Sequence, residues 1–267
     1  MDAVTAAMPP RDDSARWFKR LRRSGTSEVR LFCFHHAGGS AALYRGWPQL
    51  LPAVIAPVAV QLPGRADRFR EPPFETMAPL IGELIEVIGP LLDQPFAFYG
   101  LSMGARMCWA LAHHLRARQM PMPAALYLAS VAAPGWEEGR PDWNVREEDL
   151  LGYLRTIGGT PPELFSEPEL LAFLLPTLRA DLTMVDSFRF RPATPLDLPI
   201  RAFAGLDDVE GPPERMSGWR TETSCRFDLD VVPGGHFFNA AGELQVIRTI
   251  TDDLLRELAG PEMAAAP

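Results

Sequence analysis

Short, continuous apolar runs alternate along the chain with longer stretches whose apolar residues recur at helical spacing. "VRLFCF" (29–34) is a compact apolar run ending at "HHAGGS", as a buried strand entering a loop would. "PVAVQL" (57–62) follows the same pattern and ends at "PGRADR". "PFAFYG" (95–100), "AALYLAS" (124–130), "PIRAFAG" (199–205) and "RFDLDVV" (226–232) complete the predicted strands. Between them, residues 76–92 carry apolar side chains three and four apart behind Thr76, a residue suited to capping a helix start. Helices are also predicted over 102–118 and over "AAGELQVIRTITDDLLRELA" near the end. This alternation predicts an α/β domain, with a mostly parallel sheet covered by helices on both faces.

One stretch breaks the alternation. From about Trp136 to Phe190 only helix-like segments occur, such as "REEDLLGYLRTIGG" and "EPELLAFLLPTLRADLTMVDSF". They fall between two strands of one sheet, so a helical insertion lying over one sheet end, as a lid, is expected at about 136–190. A second small domain or a dimer surface is the alternative. Residues 1–15 and the tail 261–267 are expected to be disordered, leaving a single domain over 16–260.

Composition narrows the function classes. At 267 residues the chain is long enough for one large core, and its 27 prolines are spread as punctuation rather than massed. A net charge of -8 argues against general nucleic-acid binding. No apolar run reaches the ~18 residues of a membrane span. "MDAVTAAMPPRDDSAR" lacks the basic and apolar regions of a secretory signal, so a cytoplasmic protein with no membrane partner is expected. Cys33, Cys108 and Cys225 show no CxxC spacing, which predicts neither a disulfide framework nor a zinc site.

The candidate chemistry begins at Gly100-Leu101-Ser102-Met103-Gly104, a G-x-S-x-G match placed where a strand must turn sharply into a helix. Glycine on both flanks lets the turn close, and the serine hydroxyl is pushed above the sheet. The alternative makes Ser102 an ordinary helix cap. A serine hydroxyl needs a base to take its proton. His113 and His114 lie three turns down the following helix, while His35 and His36 follow the first long strand. His236, in "VVPGGHFF", follows the last strand at the carboxyl edge of the sheet, towards which Ser102 points. The base in turn needs an acid, and "RAFAGLDDVEG" offers Asp207 and Asp208 as near-equal candidates. The order serine, aspartate, histidine is that of the α/β-hydrolases. An oxyanion requires two amide donors: Met103, after the nucleophile, and one from "HHAGGS", for which Ala37 is the candidate. An ordinary strand-to-helix turn is the alternative for that loop.

From about Trp17 to the final helix the chain resembles the type II, stand-alone thioesterases that accompany polyketide synthases and non-ribosomal peptide synthetases. The resemblance rests on "WFKRLR", "CFHHAGGS", "LPGRADRFREPPF", "YGLSMGA", "GGTPPEL", "LPTLRADL", "PIRAFAGLDD" and "VVPGGHFF". It implies an α/β-hydrolase fold with Ser102 as nucleophile, His236 as base, Asp208 rather than Asp207 as acid, and Ala37 and Met103 as the oxyanion pair. It also implies a substrate, an acyl group held as a thioester on the phosphopantetheine of an acyl or peptidyl carrier protein. Stalled or mis-primed groups would be removed, with no cofactor and no metal. One departure stands out. His35 occupies the position before "HAGG" where the family usually has proline, which is expected to set a titratable group near the mouth of the site.

In this setting Leu170, Phe173, Leu174 and Met184 of the insertion are candidates for walling an acyl chamber, core packing being the alternative. Arg65, Arg68 and Arg70 are candidates for a basic patch facing an acidic carrier protein, or else a solvated surface. A monomer is expected, although nothing in the chain selects against a dimer. Two other readings keep or discard the chemistry. The same triad would serve acyl-CoA or a free carboxylic ester, or a hydrolase-like protein would only bind carrier domains. Completeness of the triad disfavours the last.

Overall fold

The computed structural model describes residues 13–22, 27–134, 146–160, 162–188 and 193–259. In chain order the principal elements are α1 (Ser14–Trp17), β1 (Phe18–Arg20), β2 (Val29–Phe34), α2 (Trp47–Leu50), β3 (Ile55–Val60) and α3 (Met77–Ile88). There follow β4 (Phe96–Leu101), α4 (Met103–Ala117), β5 (Leu126–Ala129), α5 (Glu147–Ile157) and α6 (Pro168–Ser187). The chain then runs through β6 (Ile200–Gly205), α7 (Pro213–Met216), β7 (Phe227–Val232) and α8 (Ala240–Ala259).

Seven strands form one sheet in the order β1-β3-β2-β4-β5-β6-β7. Every neighbouring pair is parallel except β1 with β3, where Phe18 faces Val60. β4 and β5 are buried along their length, and β2 at every position but Arg30, as continuous apolar runs require when both sheet faces are covered. One face packs Leu80, Ile81 and Leu84 of α3 with Met107, Leu111 and Leu115 of α4 against Phe32, Phe34 and Phe98. The other packs Trp47 of α2 and Val246, Ile247, Ile250 and Leu254 of α8 against Leu31, Tyr99 and Tyr127.

Strand order reverses at β2, which has β3 on one side and β4 on the other. In open α/β sheets the carboxyl ends at such a reversal leave a crevice for ligands. The loops after β2 and β4 flank this crevice, and they are "HHAGGS" and the Ser102 turn. The predicted insertion supplies α5 and α6, whose Leu150, Leu154, Leu171, Leu175 and Leu182 form a small apolar cluster of their own.

Several expectations shift. The second long strand begins at Ile55 and ends at Val60, so Gln61 and Leu62 lie beyond it. β1 went unpredicted. Thr76 occupies the cap position of α3, yet its hydroxyl makes no capping bond. The expected disordered ends fall largely outside the described residues, but Ser14 and Ala15 belong to α1. Residues 136–145 of the insertion and the tail 261–267 also lie outside them.

Candidate active site

The turn from β4 into α4 is set by sterics. Ser102 sits at φ 55 and ψ -116, a conformation rare for a residue with a side chain. A methyl group on Gly100 would lie 2.3 Å from the Gly104 backbone, and one on Gly104 would lie 2.1 Å from the Phe34 carbonyl. Both glycines are therefore demanded by close backbone approach. The Ser102 side chain makes no helix-capping bond, so the capping alternative does not describe it. Its hydroxyl instead donates to Nε2 of His236 at 3.0 Å.

Nδ1–H of His236 donates to Oδ1 of Asp208 at 3.2 Å, and both of these residues are buried. Glu210 donates its amide to the same oxygen at 2.9 Å. Burial pushes the Asp208 carboxyl upward, but the His236 contact and the Gly211 and Glu210 amides outweigh it, leaving the group below its usual range. Asp208 is thus the charged partner of the imidazole. Asp207 is exposed, and its amide is spent on the Gly234 carbonyl at 2.9 Å.

The loop after β2 is held from behind. The His36 carbonyl accepts Nδ1–H of His35 at 2.8 Å and the Gly39 amide at 3.0 Å. Carbonyl and N–H point opposite ways across a trans peptide, so the Ala37 N–H is turned away from these donors. Ala37 lines the same cavity as Ser102 and His236. Met103 supplies the first amide of α4, at the positive end of the helix.

His35 is not at the mouth, contrary to expectation. It is buried, and desolvation together with the nearby Arg65 charge drives its titration well below the usual histidine range. His36 reaches the cavity instead, with its ring 4.7 Å from that of Phe237. His114 is exposed, and His113 packs on Trp109 at 4.2 Å between ring centroids.

A buried ion pair ties α6 and the turn after β3 to this loop. Asp181 of α6 takes both arms of Arg65, at 2.5 and 2.8 Å, and accepts the Gly38 amide at 2.7 Å. Arg65 also donates to the Gly39 carbonyl at 3.3 Å. Arg68 is buried too, bonded to Glu71 and the Gln61 carbonyl and lying 4.1 Å from the centre of the Trp17 ring. Of the three arginines predicted to form a surface patch, only Arg70 is exposed. The other two are internal ties.

A cavity of about 210 Å³ opens at Ser102 and His236 beneath α5 and α6. Its apolar walls include Leu154, Ile157, Leu171, Leu175, Leu178 and Leu182. Of the four predicted wall residues, Leu174 lines it. Leu170 and Phe173 are exposed, and Met184 is fully buried in the core of the sheet. Phe237, beside His236, was missed, as were the inward leucines. Asp181, an acid set between Leu178 and Leu182 on an apolar helix, was the available signal for the clamp.

Among known proteins, the thioesterase-domain family model matches residues 29–254. A curated relative from Brevibacillus parabrevis, named linear gramicidin dehydrogenase LgrE, is 36% identical over 92% of this chain and 95% of its own. The solved RedJ thioesterase of the prodiginine pathway in Streptomyces coelicolor superposes with a TM-score of 0.81. It is 31% identical, covering 95% of this chain and 91% of that one. The type II thioesterase BorB from the borrelidin cluster has a TM-score of 0.81 and 32% identity, covering 89% of this chain and 97% of that one. With an α/β-hydrolase sheet, a serine at its elbow and these matches across its length, the chain belongs to the thioesterase family, among the type II enzymes.

Proposed function

We propose that the protein hydrolyses acyl thioesters carried on the phosphopantetheine of acyl or peptidyl carrier proteins, clearing stalled or mis-primed groups from a polyketide or non-ribosomal peptide assembly line. The observation that carries this reading is the Ser102–His236–Asp208 hydrogen-bond chain opening into an apolar cavity.

Ser102 Oγ attacks the thioester carbonyl as its proton passes to His236 Nε2. The carbonyl oxygen becomes an oxyanion held by the Ala37 and Met103 amides. The C–S bond then breaks, and the sulfur leaves with the proton from His236. A thiol ionises near pH 8.5, so this departure needs little acid assistance. In the second half, water gives a proton to His236 and attacks the acyl-serine, releasing the acid and restoring Ser102. Asp208 keeps Nδ1 protonated and balances the imidazolium throughout.

The insertion acts as a lid whose leucines hold the acyl chain away from water. The triad and both oxyanion donors lie on this chain, and a monomer working in the cytoplasm is the form in which the reading is proposed. The test is release of short acyl groups from a purified acyl-carrier protein by wild type, Ser102→Ala and His236→Ala. Each variant is expected to lose at least about 10³-fold in kcat. Wild-type turnover of simple esters alone, with no release from the carrier, would replace this substrate with a free ester.

A further inference from the structure

Helix α6 is apolar on two sides. Leu171, Leu175, Leu178 and Leu182 face the cavity. Leu170, Phe173 and Leu174 stand at i, i+3 and i+4 and form a second row, with 46%, 57% and 37% of their surface in solvent. The row continues to Thr177, whose hydroxyl donates to the Gly64 carbonyl at 2.7 Å, so the loop after β3 runs alongside. That loop adds Phe69, 47% exposed, with its ring 6.0 Å from that of Phe173. Arg70 is exposed beside it, its guanidinium 5.3 Å from the Phe69 ring centre. The neighbouring Glu71 is taken by Arg68, and among the described residues no carboxylate pairs with Arg70.

Four large apolar side chains gathered in water mark a contact surface rather than scattered exposure. Its place in the fold decides the occupant. Leu174 belongs both to the exposed row and to the cavity wall, so the patch runs up to the rim of the chamber that holds Ser102. A protein that must pass a tethered acyl group into that chamber has to dock at this rim. A second copy of the chain has no such need. A twofold contact would also bring this patch against itself, Arg70 towards Arg70, with no counter-charge.

We propose that Phe69, Leu170, Phe173 and Leu174, with Arg70 at their edge, form the docking surface for the carrier protein, which meets them with an apolar face and a carboxylate. This rests on the carrier-thioesterase reading above. The contact would supply affinity through its aromatic centre and orientation through the charge.

The experiment compares two substrates sharing one acyl group, an acyl-carrier protein and the acyl thioester of N-acetylcysteamine, across wild type, Phe173→Asp and Arg70→Glu. On acyl-carrier, KM is expected to rise about tenfold for Phe173→Asp and severalfold for Arg70→Glu, at unchanged kcat. On the small thioester both variants are expected to match wild type, which also shows that they fold. Unchanged KM on the carrier overturns the docking surface, as does an equal loss on both substrates. A wild type that cleaves the small thioester and ignores the carrier removes the underlying reading as well. Light scattering closes the remaining route: a dimer that Phe173→Asp splits into monomers assigns the patch to self-association and overturns the proposal.

Discussion

The carboxylate of Asp181, on the helix over the site, accepts the Gly38 amide at 2.7 Å while gripping Arg65 with both oxygens. One acid thus joins the insertion, the turn after β3 and the loop that offers Ala37. Because the pair is buried, its value lies less in net stability than in the cost of breaking it. Asp181→Asn leaves Arg65 without its counter-charge, and a loss of about 3–5 kcal/mol is expected. Thermal unfolding is expected to show a Tm roughly 10 °C lower, at about 2–4 °C per kcal/mol for a domain this size. Arg65→Lys, with Asp181 in place, is expected to lose part of the same stability, since an ammonium keeps the charge but cannot form the two-armed contact.

His35 is expected to act through the His36–Ala37 peptide. Asparagine can place an N–H where Nδ1–H lies, whereas leucine cannot. His35→Asn should keep most of wild-type kcat, and His35→Leu should lose roughly tenfold to a hundredfold at little change in KM, as a loosened oxyanion donor would give. Steady-state kinetics of the two variants at equal Tm checks this. Equal activity in both would remove His35 from the positioning of that peptide.

The two adjacent aspartates separate cleanly. Asp208→Asn is expected to lower kcat by about 10⁴, because an amide can hold the imidazole in the wrong tautomer. Asp207→Asn, at an exposed side chain with no hydrogen bond or ion pair among the described residues, should stay within twofold of wild type. Turnover of one acyl thioester by both proteins is sufficient.

At the elbow, Gly104→Ala would drive a methyl group to 2.1 Å from the Phe34 carbonyl oxygen, where backbone stands on both sides and no side chain can swing aside. Forced separation of β2 from α4 is expected to leave the variant largely insoluble. A soluble, fully active Gly104→Ala protein would contradict the packing described.

Acid should destabilise the fold well above the carboxylate range. Burial and the Arg116 charge lower His113 to about 4, and burial also lowers His35 and His36 from the ordinary 6.5. Below pH 6.5 the unfolded chain takes up protons that the folded chain refuses, so stability falls as pH falls. For His113 the loss runs from about pH 6.5 to about 4 and is absent above 7. Tm measured between pH 7.5 and 4.5 should drop, and His113→Gln should flatten the slope.

Most of the fold was legible because the signals were local. The strands after residue 28 and the final helix follow from apolar runs and helical periodicity, and Ser102 and His236 from glycine-flanked turns at the sheet edge. β1 was not legible, since three residues hold no period and its antiparallel pairing with β3 is a tertiary fact. Arg65 and Arg68 looked like surface because sequence does not show that a guanidinium has a buried partner 116 residues away, as Arg65 has in Asp181. The lining of the cavity was only partly legible for a related reason. α6 is apolar most of the way round, so periodicity cannot say which leucines turn inward.

That two-sided helix also bears on how such an enzyme diversifies. Residues 171, 175, 178 and 182 line the cavity at Ser102, whereas 170 and 173 stand clear of it, so drift in one row need not disturb the other. If the cavity takes the acyl chain and the outer row the carrier, as proposed, a lineage can change the acyl chain it clears without changing its delivery partner, or be re-paired with a new partner while keeping its cargo. Leu174, which belongs to both rows, is the position where the two histories would be entangled.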